Sequence, residues 1–476
     1  MADKKKVLLG VLPTRRDLSG EFFCNIDMAL KRKKETENKL RALGVEFVNI
    51  DFLNKEGLII NGLDAAKVAE HFRNKGVDAI FAPHLNFGCE DAVAKTAKIL
   101  DKPVLLWGPR DDAPDARGNR CTDSQCGLFA TGKVLNDFGV PFSYMTNCTL
   151  TDPVFEKVLN NFLSASQVVK SFRGMRIGQI SVRPETFWSV KCNELQLLER
   201  FGIEVVPITL IEIQNFYNDL IKNHRNDLAE KVNYYKQNFN TSVDDEFLYR
   251  TAAMYNAIHK WAKDMEIDGI ASSCWGAFRQ IADIASCFTF SELTENKIPT
   301  VCETDIHGAI TSVMVQAATR WQKATFLADI TVRHPVNNNA ELFWHCGVFP
   351  KSTSAPEKKP AIAKNFDEDR PTVGSFRIAD GQVTINRFDC SKDKYQLLTA
   401  RGKVVEGPAT TGTYGWIEFK DWPLIEHKVA TGPYIHHCVG VFDDVSAILY
   451  EACKYIPGLV ADPVDPTETE IQAYLR

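Results

Sequence analysis

Pro299-Thr300-Val301-Cys302-Glu303-Thr304-Asp305-Ile306-His307-Gly308 is the stretch on which the reading of this 476-residue chain turns. A short β-prone run, Pro299 to Cys302, is followed at once by two carboxylates and then by the apolar helical pattern Ile306 to Thr319. Strand, acidic turn, helix is the grammar of a parallel α/β sheet, and the C-terminal ends of its strands are where such sheets place ligands. Glu303 is thereby a candidate functional acid. Asp305 has two readings: a site residue, or the N-cap of the following helix accepting backbone N–H bonds.

The same grammar runs upstream. Val7 to Leu12, Val45 to Ile50, Ala79 to Ala82 and Val104 to Trp107 read as strands. The helical patterns Met28 to Leu43, Leu63 to Lys75 and Asp91 to Leu100 lie between them, the first two closed by Gly44 and Gly76. Strict alternation implies parallel pairing through crossover helices. A second cycle follows Lys170-Ser171-Phe172-Arg173-Gly174: strands Ile177 to Val182, Val205 to Ile208 and Gly269 to Ser272, helices Val190 to Phe201 and Phe278 to Cys287, and a long polar helical stretch Ile213 to Lys263. Gly10 to Arg16 lacks the G-x-G-x-x-G pattern, so no dinucleotide site is expected there.

After about residue 325 the texture becomes short alternating segments such as Val383 to Phe388 and Gly415 to Phe419, the pattern of antiparallel strands. Lys351 to Lys364 reads as a surface loop. The expectation is two doubly wound parallel-sheet domains of the Rossmann or flavodoxin type, residues 1–170 and 171–322, followed by an antiparallel β-rich domain, residues 323–476. The length agrees, since single cores stop growing at roughly 250–300 residues.

Composition excludes several classes. With 45% hydrophobic and 25% charged residues the chain reads as a globular protein. Its net charge of −5 gives no basic surplus to draw nucleic acid or an anionic membrane. Met1 to Lys6 lead directly into a strand rather than a signal peptide, and no run approaches the ~18 apolar residues of a membrane span. Thirteen scattered cysteines fit reduced thiols in the cytoplasm. On that view the sequons at Asn147 and Asn240 carry nothing.

Two histidine segments join the acidic turn: Phe343-Trp344-His345-Cys346-Gly347, and Pro433-Tyr434-Ile435-His436-His437-Cys438-Val439-Gly440. Adjacent residues of a strand face opposite ways, so only one of His436 and His437 serves a given site. Glu303, Asp305, His345 and one of that pair offer oxygen and nitrogen donors without thiolate, a set suited to Mn²⁺ or a similar divalent ion. Lone histidines in apolar runs are also ordinary hydrogen-bonded core residues.

At these clusters the chain resembles the L-fucose isomerase and L-arabinose isomerase superfamily. The resemblance is carried by Cys302-Glu303-Thr304-Asp305 before a helix, Leu327-Ala328-Asp329, His345-Cys346-Gly347 and His436-His437, in that order, and spans most of the chain. It implies a metal-dependent aldose–ketose isomerase that moves a proton between C1 and C2 through an enediol. The cofactor would be Mn²⁺, or Co²⁺ or Mg²⁺. The metal ligands implied are Glu303, Asp305, His345 and His437, with Glu303 or Asp305 doubling as acid or base. Substrate contacts would come from His436, from Arg16 (beside Arg15 after the first strand), and from Trp275, with Trp188 and Trp416 as further stacking candidates. The family's upstream carboxylate is missing from Cys274 to Gln280, which leaves Asp283 as the nearest replacement. The resemblance further implies a sugar substrate and a homo-oligomer, trimer or hexamer, with the site near a subunit interface. The aldose would be like L-fucose, L-arabinose or D-arabinose. The alternatives are a 6-substituted aldose such as sulfoquinovose, or a non-catalytic sugar-binding or sensing protein.

Overall fold

The structure is a computed structural model that describes residues 6–17, 24–364 and 371–475; the opening residues 1–5 lie outside it. By contact the chain divides into two units: residues up to Lys170 with Glu451–Pro457 and the C-terminal segment from Thr469, and Ser171–Tyr450 with Gly458–Glu468.

The first unit is built on five parallel strands in the order Phe47–Val48, Leu9–Val11, Ala79–Pro83, Val104–Pro109, Ser143–Cys148. Strand order 2-1-3-4-5 is the doubly wound plan that the alternation predicts. Helices Ile26–Ala42 and Ala65–Asn74 stop where the chain must turn left-handed, at Gly44 (φ 69°) and Gly76 (φ 73°). Val68, Phe72, Ile80, Val93 and Leu106 meet in the core between helices and sheet.

The second unit begins with four parallel strands in the order Thr300–Val301, Gly269–Ser272, Arg176–Ile180, Glu204–Ile208. The polar stretch 213–263 is three helices rather than one, Leu210–Asn223, Ala229–Asn238 and Asp245–Asp264. The helix expected over 278–287 breaks at Asp283, which adopts φ 52° and caps Ala277–Ala282; a new helix starts at Cys287.

Beyond residue 325 the strands form a mainly antiparallel sheet whose central six close on themselves. Lys394–Val405 pairs with Gly381–Ser391, then His437–Val441, Phe326–Arg333, Ala340–His345 and Thr413–Phe419, and the last returns to Lys394–Val405. Closure into a barrel leaves these strands no open edge. Lys351–Lys364 is only partly a loop: Ala361–Lys364 is a strand, paired with Pro371–Arg377 and with Asn240–Thr241. Ile362, fully buried, explains why this lysine- and proline-rich segment is held.

Helix Ile306–Ala318 is buried at every position and packs against Gly269–Ser272 of the parallel sheet and against Gly381–Ser391 and His437–Val441 of the barrel. A helix with no solvent-facing side belongs inside a fold, and this one joins the two layers of the unit. All thirteen cysteines are unbridged. Among the described residues no helix is long and apolar enough to cross a membrane.

Gly440 shows how closely the barrel is packed beside His437, because a Cβ there would overlap the ring of Phe326. Gly440→Ala should lower stability by about 1–3 kcal/mol through overpacking, read as an earlier midpoint in denaturant unfolding followed by circular dichroism.

Candidate functional site

The acidic turn after Val301 carries backbone strain. Glu303 and Thr304 take φ of 64° and 57°, a left-handed pair of non-glycine residues that costs roughly 1–2 kcal/mol for each. The strain is held by the Thr304 N–H, which donates to the Ser272 carbonyl of the neighbouring strand at 3.1 Å. Its effect is to turn the Glu303 side chain back over the strand ends. There its Oε1 accepts the Trp275 indole N–H at 3.2 Å.

Two residues on, Asp305 is the helix N-cap, its Oδ1 accepting the Gly308 N–H at 2.9 Å. The same carboxylate also takes both arms of Arg387, at 2.5 Å and 3.1 Å, and accepts from His437 Nδ1 at 2.9 Å. Asp305 is thus the N-cap, and its two oxygens, taken up by Gly308, Arg387 and His437, are not left open for the metal that the resemblance implies. Arg387 donates further to Asp389, which faces His307 Nδ1 at 2.9 Å. Asp305, Arg387 and His437 are at most 1% exposed.

The barrel register brings the remaining groups in. Asp329 is directly opposite His437 across the pair Phe326–Arg333 and His437–Val441, so the two side chains share a face. His437 Nε2 lies 2.9 Å from Glu303 Oε2 and 3.5 Å from Asp329 Oδ1. All three atoms are buried, and none has a hydrogen-bond partner. Asp329, His436 and His437 present ligand atoms within 4.8 Å of one another. His437 is buried and His436 exposed, but His436 precedes the strand His437–Val441 and its ring centroid lies 4.4 Å from that of His437, so both imidazoles reach Asp329 where strand alternation predicts only one.

Electrostatics follow from this crowding. Burial alone would raise the Asp305 carboxyl, but Arg387 and His437 outweigh it and hold it far below the usual carboxylate range. Burial would likewise raise Glu303, and contact with His437 brings it below its ordinary value. Burial would lower His437; Asp305 and Glu303 overcome this and push it up to about 10. Two acid oxygens without hydrogen-bond partners converge on the His437 Nε2, whose proton the acids hold; a cation could bind there only by displacing that proton. The oxygen and nitrogen donor set suits a divalent ion of the Mn²⁺ type.

A cavity of about 100 Å³ opens beside these groups, lined by Glu303, Trp275, Arg279, His345 and the cysteines 274, 287, 302 and 346. His345 is fully buried on its wall. Asp283 is elsewhere: its carboxylate is exposed and pairs with Arg250 at 2.9 Å, because the helix that should have carried it inward ends there. Trp416 is a buried barrel residue bonded to the Pro408 carbonyl, and Trp188 is exposed with Lys191 over its ring. Arg16 belongs to the first unit, where its guanidinium meets Glu90, the Gly88 carbonyl and the Phe87 ring; Arg15 there pairs with Glu56.

Asp329 and Arg387 were not singled out from the sequence, although Asp329 stands in one of the motifs that carry the resemblance. Asp305→Asn should cost about 3–5 kcal/mol, since it leaves Arg387 buried and under-compensated. The sign with pH is fixed by the depressed carboxyl. Its stabilisation is complete above the ordinary carboxylate range and is lost as the pH falls below it. Urea titrations from pH 7 to pH 3 should therefore show wild type losing stability on acidification and the Asn variant converging on it.

Comparison with known proteins points to a family of sugar isomerases. A family model for the N-terminal domain of fucose/sulfoquinovose isomerases matches residues 10–173. The sulfoquinovose isomerase of Priestia aryabhattai is 25% identical over 386 residues, covering 80% of this chain and 84% of its own. That of Alkalicoccus urumqiensis is 26% identical over 333 residues, covering 70% and 73%. Among solved structures, a periplasmic solute-binding protein of Actinobacillus succinogenes 130z with bound D-allose aligns over 66% of this chain at 12% identity, with a TM-score of 0.14, too low to relate the folds. The family model and these relatives lead to one conclusion: the chain belongs to the fucose isomerase superfamily and is an aldose–ketose isomerase.

Proposed function

We propose that the chain isomerises a 6-sulfonated aldose, sulfoquinovose, to its ketose at a divalent-metal site formed by Glu303, Asp329 and His437. The observation that carries the metal site is the convergence of three buried, partnerless ligand atoms from those residues. The substrate reading is supported by the sulfoquinovose isomerases among the relatives. It is also supported by Arg279 on the cavity wall, a guanidinium whose planar fork suits a three-oxygen anion. Asp305, with both oxygens engaged, acts in this reading as the carboxylate behind the histidine: it fixes the His437 ring so that Nε2 faces the site. Asp283 has no part in it.

The bound ion supplies Lewis-acid stabilisation of charge developing on the sugar oxygens. Glu303 is the proton carrier. Trp275 holds its Oε1, the backbone strain aims the carboxylate over the strand ends, and the depressed pKa keeps it ionised and ready to accept. A proton taken by this carboxylate from C2 returns to C1 while the hydroxyl proton at O2 passes to O1. The sugar changes from aldose to ketose with no net oxidation. The exposed Trp275 indole, edge-on to Phe187 at 5.0 Å, covers the approach to Glu303.

The test is a panel of sulfoquinovose, L-fucose, L-arabinose and D-arabinose with chelator-stripped protein, returned to Mn²⁺, Co²⁺ or Mg²⁺ and assayed for ketose. Sulfoquinovose with Mn²⁺ should give the highest kcat/KM, and absence of ketose from every sugar under every metal would end the proposal. Glu303→Gln should lose about 10²–10⁴-fold in kcat with its fold intact by circular dichroism. Arg279→Met should raise KM for sulfoquinovose by about tenfold or more, the loss of one charge-assisted contact, and leave KM for the neutral sugars unchanged.

A further inference from the structure

The two buried histidines of the site are held in opposite ways. His437 donates from Nδ1 to the Asp305 carboxylate, so Nδ1 keeps its proton, and the proton a metal would displace is the one on Nε2, which faces Glu303 and Asp329. His345 is reversed. It ends the barrel strand Ala340–His345 opposite Thr413, and its Nδ1 accepts the backbone N–H of the next residue, Cys346, at 2.9 Å. A ring nitrogen that accepts has no proton of its own, so the neutral ring is protonated at Nε2. That Nε2 is buried, without a hydrogen-bond partner, on a ring that is 1% exposed and lines the cavity beside Glu303 and Trp275. A protonated imidazole nitrogen has no in-plane lone pair to give a metal.

We infer that His345 lies outside the metal-ligand set and is a substrate-positioning residue, its Nε2–H donating a hydrogen bond to an oxygen of the bound sugar. This departs from the role that the resemblance implies for His345, and it deepens the proposed function, on whose sugar and metal it rests. The physical reason is local. The Cys346 N–H follows His345 directly in the chain and sits where the turn after the strand presents it to the ring. The tautomer is therefore set by the backbone before any ligand arrives. The wall that His345 and Glu303 line together then carries a donor of fixed tautomer, His345 Nε2–H, and an acceptor, the Glu303 carboxylate. That pairing suits a hydroxyl or carbonyl oxygen next to the carbon that gives up its proton.

Three measurements on the full chain test this. Calorimetric titration of Mn²⁺ into chelator-stripped protein should give His345→Ala the affinity of wild type, whereas His437→Ala should lose about 10-fold or more. Pulsed paramagnetic resonance of bound Mn²⁺ should detect one histidine nitrogen in wild type and the same one in His345→Ala. With sulfoquinovose, His345→Ala should lose about tenfold in kcat/KM, as expected for one neutral donor, and His345→Gln, which retains an N–H, should recover part of the loss. A tenfold weakening of Mn²⁺ in His345→Ala, or two histidine nitrogens in wild type, overturns the assignment. If His437→Ala also binds Mn²⁺ like wild type, the metal site of the proposed function is what fails. Nitrogen-15 resonance of the ring then decides His345 by itself: an Nε2–H tautomer supports the assignment and an Nδ1–H tautomer overturns it.

Discussion

The buried pair of Arg387 and Asp305 is the interaction on which the second unit's geometry depends. Two opposite charges, each at most 1% exposed, are tolerable only with near-complete hydrogen bonding, and here nearly every donor and acceptor is used. Arg387 stands on a barrel strand and Asp305 at the head of the central helix, so the pair fixes that helix against the barrel. A second tie runs from Arg387 through Asp389 to His307, in the first turn of the same helix. Pinned twice, the helix N-terminus has one rotation available. The strained Glu303 immediately before it is aimed by that constraint.

The same pair sets the electrostatics. Because Arg387 keeps Asp305 ionised without water, Asp305 can orient His437. With Glu303 and Asp329 gathered around it, that ring becomes the charge centre of the site. Left-handed backbone at Glu303 and Thr304 is tolerated because the surrounding layers leave it no alternative. A loop with fewer anchors would relax and carry the carboxylate away.

Much of this was legible in the sequence wherever the signal is local. Alternating apolar runs and amphipathic stretches specify parallel sheets, and two acids between a strand and a helix point to a strand-end site. Closure of the barrel has no local signal, because period-two patterning says that Lys394–Val405 and Thr413–Phe419 are strands but not that they pair with each other. Asp329 becomes important only through the register that sets it opposite His437. Arg387 in Ile385-Asn386-Arg387-Phe388 looks like an outward polar residue of an alternating strand; only its two acidic partners, one of them 82 residues away, explain its burial. Asp283 misled because helical spacing placed it one turn inward, whereas the helix terminates on it. The His345 tautomer rests on a side-chain bond to its own neighbour's backbone, which no residue pattern reports.

The position of His437 in the chain has a consequence for synthesis. It is 132 residues beyond Asp305, and the strand it begins lies in the middle of the closed barrel. A ribosome that has released Glu303, Asp305 and Asp329 has therefore made a cluster of acids with Arg387 and His437 still to come. Until those residues emerge, the central helix has neither its ion pair nor its barrel wall. The second unit completes its site only once His437 has joined the barrel, so a chain that stops before that residue holds the acids without the ring on which they converge.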